Sequence, residues 1–103
     1  MYKLVFHNQG KVYELFAERV ESSQLYGFIE ARKLLFEPAS KLVVDPAEER
    51  MREEFADTEV LMLPMHAVIR VEQVRRKGSC AIRDRSGGDN VTMLPLDGPG
   101  RKK

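Results

Sequence analysis

Residues 59–74 read EVLMLPMHAVIRVEQV, and the architecture turns on how this stretch divides. Val60 to Leu63 are apolar at every position, which predicts a strand covered on both faces and central in its sheet. Pro64 lacks the N–H that a ladder needs, so the strand stops there. Residues 65–67 must then turn, and Val68 to Val74 return as a last strand.

The corner contains His66, and an imidazole invites a catalytic or metal reading. A catalytic histidine needs a nucleophile to activate or a carboxylate to orient it. No G-x-S-x-G elbow, H-E-x-x-H pair or Gly-rich phosphate loop accompanies it. A zinc site drawn from His7, His66 and Cys80 would have three ligands at a spacing that matches no ligand pattern. The sequence therefore assigns no catalytic, cofactor-binding or metal-binding residue. Pro64 and His66 are read as a structural turn, with the imidazole donating to a carbonyl left unpaired there. Arg70, on the strand that follows, is placed to reach a nearby carboxylate.

The first third of the chain alternates with period two. Tyr2, Leu4 and Phe6 share one strand face, and Tyr13, Leu15 and Ala17 share one face of the next. Between them "NQG" at 8–10 predicts a tight hairpin, with Gly10 free to take positive φ. Glu14, Phe16 and Glu18 point the other way. After the polar "ESSQ", the run "LYGFIEARKLLF" at 25–36 predicts a further strand or bent pair, with Gly27 as a bulge or close approach. "KLVV" at 41–44 predicts a short buried strand.

"VVDPAEERMREEFAD" at 43–57 carries the clearest local signal. Asp45 is an N-cap, Pro46 takes the first helical position and Glu48 has capping-box spacing. Ala47, Met51 and Phe55 make one narrow apolar stripe. Glu48–Arg52 and Arg50–Glu54 are four-apart ion pairs, and the acidic run Glu48, Glu49, Glu53 and Glu54 reads as a solvated face.

These elements predict a mainly β chain with one helix (α+β): a small bent sheet or an SH3/Sm-like barrel, with the helix inserted before the last two strands. An open three- or four-stranded sheet with the helix on one face is the competing layout. The 103 residues suit one domain, compact over 1–76, followed by a Gly/Pro-rich basic tail over 77–103 that is extended or partly disordered. Residues 1–74 carry 9 basic and 13 acidic side chains, and residues 75–103 carry 8 and 3, so an acidic body precedes a basic tail. A high Arg and Glu content with few amides leans toward a thermophile or a high-GC source.

The single cysteine fits a reducing cytoplasm, and no stretch has the length of a membrane span or the pattern of a signal peptide. No small-molecule substrate and no cofactor is evident.

Four separated blocks, "FHNQGKVYELFA", "LYGFIE", "VVDPAEE" and "LPMHAVIRVEQV", resemble in order a small bacterial family of unknown function, the domain of unknown function eighteen-twenty. The resemblance covers residues 2 to about 76, and "NVTMLPL" at 90–96 is similar to a more Pro-rich ending in relatives. It implies a compact, stand-alone bacterial protein and no established activity.

Function is then a choice between kinds of binding. A non-enzymatic module contacting nucleic acid would use Arg75, Arg76, Lys77, Arg83 and Arg85 as phosphate contacts and Tyr13, Tyr26 and Phe28 as stacking faces, although core packing is the plainer role for the aromatics. A self-associating or protein-binding module would bury the excess apolar surface at 25–36 and 60–65 across a homodimer or larger interface. An enzyme would need converging polar groups that the sequence does not display.

Overall fold

The computed structural model describes residues 1–37 and 45–84. The expected strand at 41–44, Arg85 and the rest of the tail lie outside the described residues. Six strands and one helix follow in the order β1 (Tyr2–Asn8), β2 (Lys11–Ser22), β3 (Phe28–Leu35), α1 (Pro46–Glu54), β4 (Val60–Pro64), β5 (Val68–Gln73) and β6 (Ala81–Asp84). All ladders are antiparallel, and the strand order is β4-β3-β2-β1-β5, with β6 on β2. Among the described residues the chain is thus mostly strand with one helix, in a bent sheet that does not close into a barrel.

The bend follows from connectivity. A 3-10 turn of three residues, Met65–Ala67, joins β4 to β5, the two outermost strands of the order. Three residues span at most about 10 Å, so the two ends of the sheet must curl toward each other. Two local devices allow it. Lys33 takes a left-handed φ of 56° inside β3, between the Arg19↔Arg32 and Ala17↔Leu34 pairs. The β1–β5 register slips between Val5 and Phe6, a bulge that adds twist. Gly27, expected to kink the middle strand, instead has φ 78° in the turn before β3. There the Leu25 N–H donates to Ser23 Oγ and the Phe28 N–H to the Leu25 carbonyl, so Leu25 and Tyr26 belong to the turn and β3 starts at Phe28.

The first hairpin forms where expected. Gln9 and Gly10 both have positive φ, 55° and 79°, the two-residue turn whose twist matches flanking strands. The buried core is Leu4, Phe6, Tyr13, Leu15, Phe16, Ala17, Ala31, Met51, Leu63 and Cys80. Alternation accounts for Tyr13, Leu15 and Ala17. Phe16, on the opposite side of β2, is covered because Lys77 and Gly78 cross its ring. The helix starts as read: the Asp45 side chain accepts from the Ala47 and Glu48 N–H groups, and Pro46 occupies the first turn.

Three features differ from the sequence reading. β4, expected to be central, is an edge strand paired only with β3 among the described residues, so Met62 remains exposed. The sheet also runs past residue 76, because β6 pairs with Lys11–Glu14 of β2. Twelve-residue β2 outlasts β3 on that edge, and β6 takes the backbone groups β3 leaves open. Finally, Glu48 is not on a solvated face. It is 3% exposed, and Arg52 pairs with Glu49 at 4.0 Å while donating to the Glu37 carbonyl.

Candidate functional site

Four exposed large apolar side chains lie where the β2–β3 turn meets the β4–β5 corner. The Met65 N–H donates to the Gly27 carbonyl at 2.8 Å, and Phe28 pairs with Pro64, and Glu30 with Met62. This adjoining backbone carries Leu25, Tyr26, Met62 and Met65, all exposed, with Tyr26 at 98%. Pro64 (φ −63°, ψ 141°) aims the chain into the 3-10 turn, and the Val68 N–H closes it on the Met65 carbonyl with no side-chain cap. His66 is exposed at its apex. The corner is therefore backbone-held, and the imidazole is not what closes it. Methionine and tyrosine side chains are adaptable, amphipathic contact groups, so this arrangement can bury apolar surface against another molecule.

The basic residues singled out from the sequence are dispersed. Lys77 Nζ lies 3.0 Å from the Glu48 carboxylate and 3.6 Å from that of Glu37. Arg83 donates to Glu14 at 3.1 Å. Arg75 and Arg76 are exposed beyond β5, and Arg85 lies outside the described residues. Of the candidate stacking aromatics, Tyr13 is core, packed on Phe6 and Phe55 at 5.6 and 6.3 Å between centroids. Phe28 is half-buried and Tyr26 alone is fully open.

A polar cluster sits at the start of α1. Glu48 accepts from Lys77 and from the Glu37 N–H, and the buried Cys80 thiol feels the charge of the Glu48 carboxylate. Burial pushes the Cys80 thiol up to about 12, with the Glu48 carboxylate adding to it. A thiol held protonated is a poor nucleophile and a poor metal ligand. Tyr13 is also raised, by burial and then by donating to Glu54 at 2.7 Å. Glu14 goes the other way. Burial would raise it, but hydrogen bonds from Lys3 and Arg83 together outweigh that and hold it below the usual carboxylate range. These groups serve internal pairing, and Lys3, Glu14 and Glu72 continue it across β1, β2 and β5.

A hollow of about 460 Å³ lies beside Lys33, with Leu34, Phe36, Phe55 and Arg52 in its lining. None of the groups with shifted proton affinity lines it. Among the described residues no three His, Cys, Asp or Glu side chains come together to hold a metal ion, and the set His7, His66, Cys80 is not assembled. His7 Nδ1 is enclosed without a hydrogen-bond partner among them. No helix among them is long and apolar enough to cross a membrane.

The sequence reading missed Glu48 as a buried anchor and Met62 and Met65 as surface. The signal for Glu48 was its capping-box position; the signal for Met62 and Met65 was the proline, which belongs at an edge.

Compared with known proteins, the chain matches over residues 1–96 the family described as Domain of unknown function (DUF1820). No curated protein matches, and no solved structure matches.

Proposed function

We propose that this chain, which belongs to the DUF1820 family, works as a non-enzymatic binding module that docks a partner protein on the corner formed by Leu25, Tyr26, Met62 and Met65. A family whose description names no function supplies no activity, so the reading rests on the surface. The observation that carries it is Tyr26: the largest apolar side chain of the corner is 98% exposed, on a turn pinned to the Met65 backbone. A rigid aromatic presented on a braced turn loses little entropy on contact, as hot-spot residues do. The partner surface is apolar and belongs to another protein. The lone buried thiol suits a reducing cytoplasm.

A photo-reactive phenylalanine analogue placed at Tyr26 or Met65 of the full chain, and at Glu53 as a control, tests this in cells. The corner positions are expected to give discrete protein adducts that Glu53 does not. Equal labelling at all three positions, or none, overturns the reading.

A nucleic-acid contact is the second reading, and exposed Arg75 and Arg76 favour it. Lys77 and Arg83 weigh against it, since carboxylates already engage both. Retention of random oligonucleotides on a filter at low salt, lost on replacing Arg75 and Arg76 by alanine, would favour it over the corner.

A further inference from the structure

We propose that β5 is a self-pairing edge: two copies of the chain extend one sheet by antiparallel β5–β5 pairing about a two-fold axis at Val71. This goes beyond the docking corner: it concerns the opposite end of the sheet order and names a partner and a register there. β5 pairs only with β1 among the described residues, so its other edge carries unpaired backbone donors and acceptors. Val71 sits opposite fully buried Leu4, yet it is 41% exposed, because among the described residues no strand pairs on its far side.

Sequence symmetry selects the register. A two-fold axis normal to a continuous sheet keeps each side chain on its face, so residue i of one copy meets residue j of the other with a constant, even sum. An axis at Arg70 sets two arginines opposite each other, and one at Glu72 sets two glutamates opposite, and like charges across a ladder are destabilising. An axis at Ile69 sets Arg70 against Val68 and leaves both arginines without an acid. Only an axis at Val71 sets Arg70 against Glu72 twice and places valine on valine at the centre. Within one chain Arg70 already reaches Glu72 at 3.1 Å, so the same two charges can exchange partners across the axis. The bulge next to Val68 confines regular β5 to the segment that contains these residues.

Sedimentation equilibrium of the full chain is expected to give twice the 11.8 kDa chain mass. Arg70→Glu and Glu72→Arg should each weaken the dimer about tenfold, and the double swap should restore it, because opposite-charge pairs favour a ladder that like charges oppose. Val71→Cys should form a disulfide-linked dimer on mild oxidation, since directly opposed strand residues lie at about the Cα spacing a disulfide requires. Val60→Cys, on the other edge, should not. A monomer at high concentration, a dimer indifferent to both swaps, or cross-linking at position 60 but not 71 each overturns the proposal. A monomer would leave the Tyr26 corner to its own cross-linking test, so the two failures are told apart.

Discussion

Lys77 Nζ stands 3.0 Å from each carboxylate oxygen of Glu48. The lysine side chain is 14% exposed and the glutamate side chain 3%, and the same Nζ lies 5.6 Å from the centroid of Phe16. One ion pair thus ties the start of α1 to the segment that carries the chain from β5 to β6, and the lysine covers the outward face of β2.

Removing one partner leaves a buried charge uncompensated. Lys77→Met should destabilise the protein by about 3 kcal/mol in urea unfolding, in the range for breaking a buried pair. Adding Glu48→Gln to it should recover part of that loss, since the double variant buries no lone charge. A Lys77→Met change without measurable effect would mean that solvent screens the pair.

Truncation after residue 76 removes Lys77, Cys80 and β6 together. Ile82 packs against the core, and Gly78 lies in contact range of the Phe16 ring. The truncated chain should lose cooperative unfolding or melt well below the full chain, and amides of Ala81–Asp84 should show hydrogen-exchange protection in the full chain. Equal melting temperatures would show that β6 is dispensable.

Cys80 should resist alkylation in the native protein at pH 8 and react once urea unfolds it. Its thiol is raised from 9.0 to about 12, chiefly by burial. Because the folded value is the higher one, the stability it contributes is whole below pH 9 and is lost as pH rises toward 12. Tyr13, raised by burial and its bond to Glu54, has the same sign. Mass spectrometry of iodoacetamide-treated protein checks the first statement, and alkaline melting curves the second.

Glu14 supplies the acid limb. Lys3 at 3.0 Å and Arg83 at 3.1 Å hold its folded value below the unfolded one. Its contribution is present above the unfolded carboxylate value and disappears as pH falls through the folded value. Melting temperature should therefore fall less between neutral and acid pH for Glu14→Gln than for the parent chain. Parallel curves would assign the acid loss to other carboxylates.

Core and corner should respond oppositely to truncation. Met51 is completely buried, so Met51→Ala should cost about 2–5 kcal/mol. Tyr26→Ala removes a side chain that touches little, and should stay within about 0.5 kcal/mol while abolishing partner cross-linking from Met65. A large loss of stability at Tyr26 would make it a structural residue.

The features legible from the residues alone lie within a few positions along the chain. The Asp45 cap and Pro46 start α1, Gln9 and Gly10 turn the first hairpin, and alternation sorts Leu4, Phe6, Tyr13 and Leu15 into the core. In each case the partners that set the conformation are near neighbours, so backbone sterics and side-chain period suffice. That β4 is an edge, that β6 joins β2 and that Glu48 is buried under Lys77 follow from long-range packing. Those outcomes depend on pairs 28 to 73 positions apart, such as Arg32 with Val60, Glu48 with Lys77 and Lys11 with Asp84. Which backbone edges stay open for such pairs depends on the bend at Lys33 and the three-residue turn after Pro64, which local sequence signals alone do not fix.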